Sequence, residues 1–219
     1  KYENEKDQVS RQIIFRNTFM IASLILLNIV FIFFNRYRTK LQAHKELEEA
    51  HDKLEQIASK DPLTNLSNRR DMKEKIMYEK SRFERSEKPF VIIMSDIDFF
   101  KQVNDEYGHD CGDYVLKTIS DIFLESIRKQ DIVGRWGGEE FILLLPETNL
   151  KGGKIVAEKI RKKIYKTEFK YQKNKIPVRM TFGVTIIKPF QEINDCIIEA
   201  DKALYDGKRN GRNRVVLTE

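Results

Sequence analysis

The segment Arg135-Trp136-Gly137-Gly138-Glu139-Glu140-Phe141 sets two adjacent carboxylates after two glycines and ahead of an apolar run that ends at Leu145. Gly-Gly between two extended runs predicts a β-hairpin with both glycines at positive φ. Two carboxylates at the mouth of such a turn repel each other and suit a core poorly, which makes them candidates for a divalent cation or for acid–base work. Alone, the pair fits a solvated turn equally well. Asp96 changes the balance. It comes after the continuous apolar run Phe90-Val91-Ile92-Ile93-Met94, the pattern of a strand buried on both faces. The carboxyl end of such a strand is where α/β proteins place ligand chemistry. With the two strands side by side, Asp96, Glu139 and Glu140 are expected to converge. Three hard oxygen donors with no His or Cys nearby suit Mg²⁺ or Mn²⁺ rather than zinc, and the chemistry such a site serves is phosphoryl or nucleotidyl transfer.

Further polar residues stand where a nucleotide would need them. Lys101, Asn104 and Asp113 come after the first carboxylate, across a predicted Gly108–Gly112 loop. A carboxylate such as Asp113 can accept from the N1–H and 2-amino group of guanine, and Asn104 can face O6 or N3; Asp113 could equally cap a helix N-terminus. Lys208 and Arg212, with Gly207 and Gly211, are read as a small basic loop between helix and last strand, suited to a triphosphate.

The elements that must position these groups emerge from periodicity. Asn68 to about Arg85 reads as a helix, Phe90–Met94 as a strand, and Asp113–Arg128 as a helix with Val115, Leu116, Ile119, Ile122, Phe123 and Ile127 on its inner face. Phe141–Leu145 is a second buried strand, ended by Pro146. Gly152–Tyr165 is an amphipathic helix, Val178–Ile187 a strand, Glu192–Tyr205 a helix and Val215–Leu217 a last short strand. That order predicts an α+β, ferredoxin-like antiparallel sheet with helices on one face and extra elements added.

Upstream of this domain the chain changes character. After a short juxtamembrane segment, residues 1–16, the nineteen residues Asn17–Asn35 carry no charge. As a helix rising about 1.5 Å per residue they approach the roughly 30 Å thickness of a bilayer core, which predicts a single transmembrane helix. Arg36, Arg38 and Lys40 crowd its C-terminal flank and place the rest of the chain on the cytoplasmic side. Residues 36–60 are charged and free of Gly and Pro, with Leu47, Ala50, Leu54 and Ile57 at 3-4-3 spacing, the seam of a short dimeric coiled coil. Asp61-Pro62 ends that helix, so the globular domain is expected over 61–219. The net charge of +6, without an arginine-rich tract, argues against nucleic acid as a partner. Cys111 and Cys196, without framework spacing, read as free thiols of a reducing compartment.

From Asp61 to the C-terminus the chain resembles the GGDEF domain of bacterial diguanylate cyclases. The resemblance rests on Asp61-Pro62-Leu63-Thr64-Asn65-Leu66, Asn68-Arg69-Arg70, Asp96-Ile97-Asp98-Phe99-Phe100-Lys101, Asn104-Asp105, Tyr107-Gly108-His109, Gly112-Asp113, the Arg135–Phe141 segment and Gly211-Arg212-Asn213. It implies a nucleotidyl-cyclase palm sheet and a dimer in which each protomer holds one GTP. The two nucleotides condense into cyclic di-GMP with release of two pyrophosphates. It implies that Asp96, the Ile97 carbonyl, Glu139 and Glu140 hold Mg²⁺, with Glu139 the base near the ribose 3′-OH. Asn104 and Asp113 would read guanine. Lys101, Arg135, Lys208 and Arg212 would handle phosphate charge, and backbone N–H groups around Phe99 and Phe100 would cradle the phosphates. Arg128-Lys129-Gln130-Asp131 resembles the RxxD site at which the product inhibits. The resemblance also implies a bacterial inner-membrane location. The competing reading, a non-catalytic receptor for GTP or cyclic di-GMP, usually goes with lost hairpin or metal residues, and none is lost here.

Overall fold

The computed structural model describes residues 18–20, 23, 27, 29–42, 45 and 59–218. The chain divides into two compact units, Lys1–Ile57 and Ala58–Glu219. In the first unit residues 29–42 are helical. Among the described residues no helix is long and apolar enough to cross a membrane. The predicted span 17–35 lies in part, and the seam Leu47–Ile57 wholly, outside the described residues.

The second unit is built on a five-stranded sheet. In chain order its elements are α1 (Arg69–Ser86), β1 (Val91–Ile97), α2 (Phe100–Tyr107), α3 (His109–Ser126), β2 (Ile132–Arg135), β3 (Glu140–Leu145), α4 (Leu150–Lys166), β4 (Phe169–Tyr171), β5 (Asn174–Ile176), β6 (Met180–Ile186), α5 (Ile193–Arg209) and β7 (Val215–Leu217). The sheet order is β2-β3-β1-β6-β7, and β4 and β5 form a separate hairpin. β1 is central, antiparallel to β3 and to β6, while β7 runs parallel to β6. The sheet is therefore mixed, where an all-antiparallel one was expected.

The alternation along β1 explains the layers. Val91, Ile93 and Ile97 face one way, into a core with Phe123 of α3, Ile160 of α4 and Phe182 of β6. Ile92 and Met94 face the other, against Met72 and Ile76 of α1 and Ala200 and Leu204 of α5. Helices thus cover both faces, not one as the strand order predicted. A buried run such as Phe90–Met94 demands that, because either face left open would expose apolar side chains to water. On β6, Gly183 is required by close approach: a Cβ there would lie 2.1 Å from the Ala200 carbonyl oxygen and 2.3 Å from the Leu204 nitrogen. Asn68 caps α1, its side chain accepting from the Asp71 N–H at 3.0 Å. Cys111 and Cys196 are buried free thiols.

Candidate active site

β1 runs through Ile97, three residues beyond the apolar run, so Asp96 sits inside the strand rather than past its end. Its register partners are Glu140 on β3 and Thr181 on β6. Lys208 in the last turn of α5 reaches across to Asp96 Oδ2 at 2.8 Å. Burial is the main force pushing the Asp96 carboxyl up, to about 6; the negative charges of Glu139 and Glu140 add to it and Lys208 opposes it. A buried carboxylate with two like-charged neighbours against one lysine is a site short of positive charge, and an all-oxygen donor set of this kind fits a hard divalent cation. The carboxylates are nonetheless not gathered: among the described residues no group of three or more His, Cys, Asp or Glu is placed to hold a metal ion. The alternation of a strand separates them. Glu140 opens β3 and shares a depression with Arg69, Lys73, Met94 and Trp136, whereas Glu139 lines the cleft on the opposite side of the hairpin.

That cleft, about 510 Å³ in volume, is lined by Phe100, Lys101, Asn104, His109, Asp113, Arg135 and Glu139 among others. Six of the residues singled out in the sequence for nucleotide chemistry meet here: Phe100, Lys101, Asn104, Asp113, Arg135 and Glu139. The supposed Gly108–Gly112 loop is helix. α2 ends at Tyr107 and α3 begins at His109, with Gly108 between them at φ +86°. Asp113 therefore lies inside α3, exposed on its second turn, and caps nothing. Gly112 is the packing partner of Asn104: a Cβ at Gly112 would fall 2.0 Å from Asn104 Oδ1. The absence of that side chain lets α2 and α3 bring Asn104 and Asp113 to one wall.

The hairpin also departs from expectation. Among the described residues the glycines at positive φ are Gly108 and Gly211, so neither Gly137 nor Gly138 adopts it. The connection spans residues 136–139 instead of two, closed by the Trp136 N–H donating to the Glu140 carbonyl at 2.8 Å. A Cβ at Gly137 would stand 2.8 Å from Glu140 Oε2, so a side chain there would push the Glu140 carboxylate aside. Arg135 braces this loop. Its Nε and Nη2 donate to the Gly138 carbonyl at 3.1 and 2.8 Å, and its Nη1 donates to both oxygens of Asp61 at 3.2 Å. Burial would raise Asp61, but hydrogen bonds from Thr64 and the Arg135 guanidinium hold its carboxyl below the ordinary value. A charge at the first turn of the domain thus fixes the residue preceding Glu139.

Lys208 and Gly207 belong to α5 rather than to a loop, because the helix continues to Arg209. Arg212 does leave the helix, at φ +58°, and stacks its guanidinium 4.3 Å over the exposed ring of Phe99. Phe99, at φ +61°, precedes α2, whose first N–H groups have no intrahelical acceptor. Phe100 beside it is buried. Asp98 holds this corner together and was not singled out in the sequence. It is buried and accepts from Thr181 Oγ1 at 2.7 Å and from the Asn213 N–H at 2.9 Å, which fixes the segment carrying Arg212. Asp98 and Asn213 stand in motifs that carry the family resemblance, yet nothing in their spacing announced the contact. Asp61 was likewise missed as a contact of the hairpin.

Arg128 and Asp131 lie apart from the cleft, between α3 and β2. Arg128 is exposed, its N–H donating to Asp131 Oδ2 at 2.9 Å. Asp131 is buried, and its Oδ1 has no hydrogen-bond partner among the described residues. Burial pushes its carboxyl upward against the pull of Arg128.

A mixed sheet covered on both faces, with carboxylates near the β1 and β3 ends and a polar cleft beside the hairpin, defines an α+β domain with a polar site. Residues 58–214 match the family described as "Diguanylate cyclase, GGDEF domain", and the chain belongs to that family. It is 36% identical over 173 residues to the diguanylate cyclase DgcP of Pseudomonas aeruginosa, covering 78% of this chain and 25% of that protein. Diguanylate cyclase A of Treponema denticola is 45% identical over 129 residues, 58% of this chain and 35% of that one. The chain thus spans between a quarter and about a third of the length of these relatives. Among solved structures, diguanylate cyclase SiaD of Pseudomonas aeruginosa, in complex with its activator SiaC, superposes with a TM-score of 0.71 at 32% identity, covering 98% of this chain and 86% of that one. The active GGEEF domain of a diguanylate cyclase from Vibrio cholerae gives 0.66 at 35%, covering 70% and 98%.

Proposed function

We propose that this chain is a diguanylate cyclase that condenses two GTP molecules into cyclic di-GMP and releases two pyrophosphates. The observation that carries this reading is the single cleft in which Asn104 and Asp113 stand on one wall and Glu139 on the rim. Asp113 accepts from the guanine N1–H and 2-amino group, and Asn104 answers from the neighbouring helix. A carboxylate pairs badly with the acceptor edge of adenine, which favours guanine. Lys101 and Arg212 offset phosphate charge, and the free N–H groups opening α2 at Phe99 and Phe100 point to the same use. Asp96, the Ile97 carbonyl, Glu139 and Glu140 would hold Mg²⁺ or Mn²⁺ only once the two hairpin side chains, now apart, turn toward β1; when bound the ion supplies charge neutralisation on the phosphates. Lys208 meanwhile keeps Asp96 compensated. Glu139 is the group placed to take the proton of the ribose 3′-OH, and Arg135 holds its loop in place.

The finer parts of the reading rest on the sequence. The protein would act as a dimer, each domain contributing one GTP. The apolar run 17–35 would anchor it in the cytoplasmic membrane, with the GGEEF domain in the cytoplasm and 36–60 as a paired linker. Arg128 and Asp131 would bind the product and inhibit. The test is direct: incubate the chain with GTP and Mg²⁺ and identify the products by mass. Glu139→Gln should lower cyclic di-GMP formation by roughly 100-fold or more, the scale of a lost general base, with an unchanged circular dichroism spectrum. Turnover near the native rate in that variant would remove Glu139 from the chemistry.

A further inference from the structure

The strongest charge asymmetry in the protein lies away from the cleft. Residues 150–175 carry ten Lys and Arg against two Glu, a local net charge of +8, while the whole chain carries +6. The remainder of the chain is therefore slightly acidic. This basic segment is α4 together with the β4–β5 hairpin. α4 buries Gly153, Ala157, Ile160 and Ile164 against the sheet. With about 100° between successive residues, the opposite face is a ridge of six residues, Lys151, Lys154, Ile155, Lys162, Tyr165 and Lys166, with the half-exposed Glu158 among them. All six are exposed, and the two apolar members are 62% (Ile155) and 56% (Tyr165) accessible.

Neighbouring acids account for only part of this charge. Lys163 pairs with Glu125 at 2.7 Å, Arg161 with Glu158 at 2.9 Å, and Lys170 and Lys175 both engage Glu168. Lys159 donates to the Ser126 carbonyl at 2.9 Å. Lys151, Lys154, Lys162, Lys166 and Lys173 have no acidic partner among the described residues. Self-repulsion among them is a standing cost that an external anionic surface would remove.

We propose that this ridge docks the domain on anionic phospholipid headgroups. Three features favour a lipid surface over the other anionic macromolecules. The charge sits on a convex helix face, not in a groove that could track a phosphate backbone. Exposed Ile155 and Tyr165 between the lysines suit the boundary of headgroup and acyl chain, where an aliphatic tip is buried and a phenol stays wet. The same chain carries the uncharged run Asn17–Asn35, and the preference for lipid rests on the proposed anchorage by that run. Cyclase chemistry is not required for docking: none of the ridge residues lines the cleft.

The test uses the second compact unit, Ala58–Glu219, of the kind that has been solved as isolated GGDEF domains in relatives. It is sedimented with vesicles of phosphatidylcholine alone, and with vesicles in which phosphatidylglycerol makes up about a third of the lipid. Binding is expected to the anionic vesicles only and to fall steeply with added salt. Replacing Lys151, Lys154, Lys162 and Lys166 together by Gln should weaken it by roughly 100-fold or more, since each lysine near such a surface counts for about fivefold. Ile155→Ser should weaken it several-fold with the charge unchanged. Absence of binding to anionic vesicles, equal binding by the four-lysine variant, or tighter binding to duplex DNA than to the vesicles would each overturn the proposal. GTP turnover by the same variant without lipid should match the native rate, so a failure of docking is distinguishable from a failure of the cyclase reading.

Discussion

Asp131 shows how a single residue can hold a cost that folding alone would not select. It is buried, one of its oxygens has no partner among the described residues, and burial raises its pKa above the ordinary carboxylate value. A raised folded-state pKa means that the folded protein binds the proton more tightly than the unfolded chain. The stability linked to that proton is complete below the unfolded pKa near 3.8 and is lost as pH rises through the higher folded value. Asn cannot carry the charge and keeps an oxygen to accept from the Arg128 N–H. Asp131→Asn should therefore gain in melting temperature on the native protein between pH 4 and pH 7.5. A difference that is the same at both pH values would show that the buried charge is not the cause. If Arg128 and Asp131 are the inhibitory pair, the same variant needs at least about tenfold more cyclic di-GMP for half-inhibition, the scale of one lost charged hydrogen bond.

At the scale of elements, the decisive event is the meeting of α2 and α3. Gly112 allows it, and Gly112→Ala would drive a Cβ into Asn104 Oδ1. Asn104 is half-exposed and can swing away, so the domain should still fold, with a melting temperature within a few degrees of the native protein. Guanine recognition should suffer instead: the KM for GTP is expected to rise about tenfold, one hydrogen bond's worth, with a smaller change in kcat. An unchanged KM in the folded variant would remove Asn104 from base recognition. The contrast between elements also shows what a sequence makes legible. β1, β3 and α4 announced themselves, because burial on two faces or one leaves a long periodic record. The start of α3 did not, since Gly108 and Gly112 read as loop until packing decides that helix is cheaper around them. The hairpin was located correctly but given the wrong turn, because Gly-Gly permits positive φ without requiring it. Lys101, Asn104, Asp113, Arg135 and Glu139 could be named from residue type, whereas the hold of Asp61 on Arg135 spans 74 positions and leaves no local pattern.

At the scale of the whole molecule, the cleft sets the requirement. Its volume and the single Asn104–Asp113 pair proposed to read guanine suit one nucleotide, whereas the proposed product joins two. Under the proposed function two domains would have to face each other, each presenting one GTP, and the reaction would be second order in domain unless the chains are already paired. If the Leu47–Ile57 seam pairs them, it replaces a bimolecular encounter by an intramolecular one at an effective concentration in the millimolar range. Specific activity should then be flat with dilution for a chain that begins at residue 37. For one that begins at residue 59 it should fall in proportion to concentration. At about 1 μM protein the two should differ by roughly 100- to 1000-fold, while their circular dichroism and melting temperatures agree for the shared domain. Activity that stays undiminished in the shorter chain at that dilution would mean that the domain pairs through its own surface, and the seam would lose its part in catalysis.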